Sequence, residues 1–148
     1  MAEQFKILFR HDAFDGKDIE SMWAVKVENG YKIDNIPFYV KSFSWGDIID
    51  ADEIEGQLYA RNLVEESGHS TVRILFWDKS IINSTRETLK YLGCGSELSN
   101  IESLVSIDVP LSVNYFDLKE HLEDGEQSGS WEYEESCLSN KHKKDVGE

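Results

Sequence analysis

His69 and Arg73 are the residues whose types could do chemistry together: a histidine able to act as acid or base, beside a fixed cation, in the run Ser67-Gly68-His69-Ser70-Thr71-Val72-Arg73. Catalysis would need a partner group and a pocket, and the local sequence supplies neither. Ser67 and Ser70 lie in no G-x-S-x-G elbow. His69 and Arg73 are therefore expected to fix a structural junction. The alternative is a small enzyme or ligand-binding protein with a cleft at these two residues, and no catalytic residue is assigned.

Asp47, Asp50, Asp52, Glu53 and Glu55 gather the oxygen ligands that calcium favours, yet a loop counted from Asp50 has Glu55 and Arg61 where the sixth-position glycine and twelfth-position glutamate belong. On a strand these side chains would alternate between faces, so a solvated acidic face is expected. His11, His69, His121 and His142 share no close ligand spacing with Cys94 or Cys137, and no phosphate-binding glycine loop or dinucleotide fingerprint occurs. Neither a metal nor a cofactor is expected.

Trp131 and Tyr133 could stack on nucleobases, but Glu132, Glu134 and Glu135 around them would repel a phosphate backbone. From Glu120 to Glu135 the chain carries seven acids and no lysine or arginine. The expected partner-binding surface is thus Trp131, Glu132, Tyr133, Glu134 and Glu135, with the aromatics as anchors and Asp50 and Asp52 as a second acidic patch.

The overall charge agrees. Over 148 residues, 29 acids face 15 bases, a net charge of −14. Residues 1–68 hold 14 acids and 7 bases, and residues 69–140 hold 13 and 5. Such a surface repels nucleic acid and anionic lipid and draws in basic proteins. No apolar run approaches the roughly 18 residues of a membrane helix, Met1-Ala2-Glu3-Gln4 lacks a basic signal-like start, and only two cysteines occur. A reduced, cytoplasmic protein is expected, with neither nucleic acid nor membrane as its partner.

The elements that must position these residues fall into two sets. Residues 1–68 read as five or six short strands: 5–10, a polar turn at 11–18, 21–28, the Asn29-Gly30 hairpin, a return strand at 31–36, then 48–54 and 58–64 about Gly56. Pro37 ends the pairing, and Phe38, Tyr39, Val40, Phe43 and Trp45 close one end of a small β-barrel or bent antiparallel sheet.

Residues 69–138 instead alternate strand with helix. One helix is capped by Asp78, with Trp77 stapled onto Ile82 and with Ile81, Ile82, Thr85, Leu89 and Leu92 facing inward. An edge strand at 94–99 and a buried one at 104–109 follow. A second helix is capped by Asn114, turns Tyr115, Leu118 and Leu122 inward and is released by Gly125 and Gly129. A last strand starts at Trp131. The order is the βαββαβ of a ferredoxin-like unit, making the chain α+β. It sets Cys94 and Cys137 at opposite sheet edges as free thiols. Residues 139–148 are expected to form a solvated, disordered tail.

Taken in order, Glu20-Ser21-Met22-Trp23-Ala24, Ile33-Asp34-Asn35-Ile36-Pro37-Phe38, Gly46-Asp47, Ser67 to Arg73, Gly93-Cys94, Asp108-Val109-Pro110 and Trp131-Glu132-Tyr133-Glu134-Glu135-Ser136-Cys137 resemble the bacterial domain-of-unknown-function family numbered 4265. The resemblance runs from about residue 5 to residue 138 and brings no activity with it. Its similarity to proteins of toxin and immunity loci implies a cytoplasmic immunity protein. Its C-terminal half is similar to ferredoxin-like regulators that inhibit ribonucleases by binding them. Together these imply a non-enzymatic protein that occludes the active site of a basic toxin domain, such as a nuclease. A regulator of a cellular ribonuclease would read the same way.

Overall fold

In the first half the period-two pattern closes on itself. Strands β1 (Gln4–His11), β2 (Asp18–Val27), β3 (Gly30–Ile33), β4 (Ile48–Ile54) and β5 (Gln57–Glu65) follow one another around a ring, closed by parallel pairing of Ile7 with Leu58 and Leu8 with Tyr59. The computed structural model describes residues 3–11 and 18–148, so most of the polar turn expected at 11–18 lies outside the described residues. Alternate residues Ile7 and Phe9, Met22 and Ala24, with Ile33 and Ile49, fill the interior, and Val40 joins them from the connection between β3 and β4. At the hairpin, Gly30 lets β4 approach closely: a Cβ there would stand 2.3 Å from the Ile49 carbonyl oxygen. The return strand ends at Ile33, short of residue 36, because the Asn35 side-chain oxygen, not a main-chain carbonyl, accepts the Trp23 amide.

The second half is a four-stranded antiparallel sheet in the order β7-β8-β6-β9, from β6 (Ser70–Phe76), β7 (Gly95–Leu98), β8 (Leu104–Val109) and β9 (Trp131–Cys137). Val72, Ile74 and Phe76 of β6, with Val105, Ile107 and Val109 of β8, face α1 (Ile82–Tyr91) and α2 (Tyr115–Gln127). Leu89, Tyr115, Leu118 and Leu122 complete that core. The Asn114 side chain accepts the Phe116 amide at 2.9 Å and starts α2 as expected. Cys94 and Cys137 are free and flank opposite edge strands, and burial pushes the Cys94 thiol up to about 12. Among the described residues no helix is long and apolar enough to cross a membrane.

Three local expectations change. A single 3-10 turn, Lys79–Ile81, separates Asp78 from α1, so Trp77 is not seated over the first α-helical turn and stands 60 % exposed. Gly125 does not release α2 but lies inside it, where a Cβ would come within 1.9 Å of the Trp131 indole. The glycine is the seat on which Trp131 packs, its Nε1 donating to the Leu122 carbonyl at 3.0 Å. Residues 139–148 are not a free tail, because α3 (Asn140–Asp145) docks there. It is held by polar groups that apolar periodicity does not register. The fully buried His142 contacts Ser70 Oγ at 2.5 Å and Ser139 Oγ at 3.1 Å through Nδ1, and the Pro110 carbonyl at 3.0 Å through Nε2. Asp145 accepts the Tyr115 amide and Lys141 Nζ at 3.0 and 2.8 Å.

Because a carbonyl can only accept, Nε2 carries the His142 proton, and Nδ1 stays unprotonated to accept from Ser70. Burial lowers the His142 pKa below its ordinary 6.5, with the Lys141 charge acting in the same direction. The unfolded chain therefore binds the extra proton more readily. Stability is complete above pH 6.5 and falls with decreasing pH, by up to about 1.4 kcal/mol per pH unit. The protection factors of the α3 amides against hydrogen exchange should fall between pH 7 and 5.5, and His142→Gln should flatten that dependence; equal protection profiles for both proteins would contradict it. Gly125→Ala should lower unfolding stability by about 2 kcal/mol through overpacking, although helix propensity alone would raise it by about 1 kcal/mol. The sign of the change in urea denaturation decides whether the indole is seated there.

Candidate functional site

Glu20 continues the inward series Glu20, Met22, Ala24 on β2, so the pattern places a carboxylate where an apolar side chain belongs. It is 9 % exposed. The cost of burying it is offset by three main-chain donors: Phe38 at 2.7 Å, Tyr39 at 3.1 Å and Val40 at 3.0 Å. That carboxylate fixes the connection between β3 and β4, which lies across the sheet face away from the helices.

This face is polar where the connection covers it. Ser106 Oγ donates to the Pro37 carbonyl at 2.5 Å, Ser44 Oγ and Thr71 Oγ1 are 2.8 Å apart, and Ser136 Oγ reaches the Val40 carbonyl at 3.5 Å. Asp47, read from the sequence as part of a solvated acidic face, is buried here. Its two oxygens accept the Ser44 and Ser67 amides, each at 2.9 Å.

Arg73 lies on this face of β6 and is 7 % exposed. It donates to Ser136 Oγ and stands 3.2 Å from Glu134. Burial lowers the guanidinium pKa, and the charges of Glu134, Glu20 and Tyr39 act against that. Among the described residues its Nε is buried without a hydrogen-bond partner. Beyond Arg73 the covering stops and a groove of about 490 Å³ opens. Phe38, Tyr39 and Lys41 form one wall, Leu75 and Leu104 lie on the sheet, and Glu126 of α2 with Glu132, Tyr133 and Glu134 of β9 complete the lining. Strand register produces this arrangement. Glu132, Leu75 and Leu104 form one cross-strand row, and Glu134, Arg73 and Ser106 form the next.

The lining charges are unequally matched. Lys41 at 3.6 Å and Arg73 at 3.2 Å both turn to Glu134. Glu126 meets only the Tyr133 amide, at 3.4 Å, and Glu132 has no ion-pair or hydrogen-bond partner among the described residues. The site is therefore apolar at its base, with two carboxylates that no base neutralises.

The structure brings Glu132, Tyr133, Glu134 and Arg73 together and separates the other expected residues from them. Trp131 is 4 % exposed and belongs to the core, so it offers no surface anchor. Its place on β9 is helix-facing, opposite Phe76, which an aromatic followed by acids did not reveal. Tyr133 is half-buried and donates to Glu123 at 2.6 Å. Glu135 accepts from Tyr115 Oη at 2.5 Å and pairs with Lys119 at 3.2 Å. Asp50 accepts the Asn62 amide at 2.7 Å and Asp52 pairs with Arg61 at 3.3 Å, and neither lines the groove.

His69 has the partner that its neighbours in sequence did not supply. Its Nδ1 is 2.9 Å from Asp108 Oδ1, and its ring centroid is 4.8 Å from that of Trp45. Burial raises the Asp108 pKa, while the hydrogen bond and charge of His69 pull it down. The pair ties the second sheet to the β3–β4 connection and does not line the groove that Arg73 lines. Glu20, Phe38 and Tyr39 went unassigned from sequence. The available signal was a glutamate in phase with Met22 and Ala24.

A family model described as a domain of unknown function, DUF4265, matches residues 20–133. No curated protein matches the chain. A crystal structure of a hypothetical protein from Neisseria gonorrhoeae is similar over 94 % of this chain and 96 % of that one, with a TM-score of 0.76 and 20 % identity. At that identity the likeness carries the fold alone.

If Glu20 holds the connection, Glu20→Ala leaves one buried and two part-buried amides without their acceptor and should cost about 3 kcal/mol in urea denaturation, with Glu20→Gln in between. A loss for Glu20→Ala no larger than that of an exposed control such as Glu53→Ala would contradict it.

Proposed function

We propose, for a chain that belongs to the DUF4265 family, that it works by binding: a cytoplasmic immunity protein whose acidic face covers a basic toxin domain, such as a nuclease, and blocks its active site. The observation that carries this reading is the unequal matching of charge around β9 and α2. Lys41 and Arg73 are taken up by Glu134, and Lys119 by Glu135. Among the described residues Glu120, Asp124, Glu126 and Glu132 then have no ion-pair partner, and the last two line one groove.

A nuclease must present cations to hold phosphates, so this face is complementary to it and speeds encounter. We read the second half, with its β7-β8-β6-β9 sheet, as a ferredoxin-like unit, and that reading supports the likeness to regulators that inhibit ribonucleases by binding. Trp131 drops out of the surface, and Phe38 and Tyr39 supply its aromatic contact instead.

The product of the neighbouring gene is the partner to test. Its dissociation constant should rise at least about tenfold between 50 and 500 mM salt, and Glu126→Lys with Glu132→Lys should abolish binding. These two positions are preferred to Glu134, whose charge also holds Arg73 and Lys41. Affinity insensitive to both changes would contradict the proposal, and binding to a chromosomal ribonuclease instead would make the protein a housekeeping regulator.

A further inference from the structure

We propose that the groove between the Phe38–Tyr39 wall and β9 is a socket for one arginine or lysine side chain of a protein partner. This rests on the binding reading above and gives it a contact point.

Two independent features of the groove select that ligand. Its volume of about 490 Å³ suits a single long side chain with its flanking main chain, and Phe38, Leu75 and Leu104 offer the apolar surface that the methylene stem of a basic residue covers. Its charge selects a cation, because Glu126 and Glu132 have no base while both lining cations already face Glu134. A phosphate or nucleotide would meet three glutamates, and a purely apolar side chain would leave two carboxylates partly desolvated with nothing gained.

The test is an amide-resolved NMR titration of the intact protein with acetyl-Gly-Arg-Gly-amide, beside acetyl-Gly-norleucine-Gly-amide and free arginine. The arginine peptide should shift Tyr39, Leu75, Leu104 and Glu132, the norleucine peptide should not, and Glu126→Gln with Glu132→Gln should weaken binding at least about tenfold, the loss of a charge-assisted contact. Three outcomes overturn the socket: no groove shifts, equal shifts with norleucine, or indifference to the double substitution. Free arginine binding more tightly than the blocked peptide also overturns it, in favour of a small zwitterion site. Shifts confined to Glu120 and Asp124 remove the socket while leaving the acidic face intact. The absence of any shift, together with no binding of the neighbouring gene's product, removes both readings.

Discussion

A carboxylate pointing into the mouth of a ring of strands governs this molecule. Glu20 gathers the amides of Phe38, Tyr39 and Val40, and these three donors compensate the charge at that depth. The stretch so held is the one that carries Val40 into the first core and places Pro37 and Ser44 over the second sheet. One buried anion therefore sets the position of the two halves relative to each other.

The contact between the halves is made differently from either core. Each core is apolar, whereas the shared face is built from Ser44, Thr71, Ser106, Ser136 and Arg73, all buried and nearly all hydrogen-bonded. Directional contacts of this kind specify one docking geometry, while a greasy face would tolerate several. Arg73 is central to it, with the charges of Glu134 and Glu20 both acting on it. Where the polar cover ends, Leu75 and Leu104 are left beside glutamates, and the groove follows from that boundary.

Much of the architecture was legible in the sequence. The Asn29-Gly30 hairpin, the strand Leu104–Val109 and the Asn114-capped helix rest on local rules of turn, alternation and capping, and they stand where those rules place them. What was not legible depends on long-range polar pairing. Asp108 lies 39 residues from the His69 it holds, and Ser70 lies 72 from His142. Neither spacing leaves a periodic trace. For the same reason α3 read as a tail. Trp131 misled because acids follow it on alternating faces, whereas the informative neighbour was Gly125, a glycine within a helical pattern that leaves room for a ring. The glutamates of β9 were legible as an acidic cluster, but which of them are already neutralised emerged only from the strand register.

The account stands on the claim that Glu20 locks the connection between the halves. Native-state hydrogen exchange of the Phe38, Tyr39 and Val40 amides measures that lock directly. The account predicts that all three exchange only through global unfolding, with protection matching the central strand β6. Exchange at the rate of an exposed loop, while β6 remains protected, would contradict it.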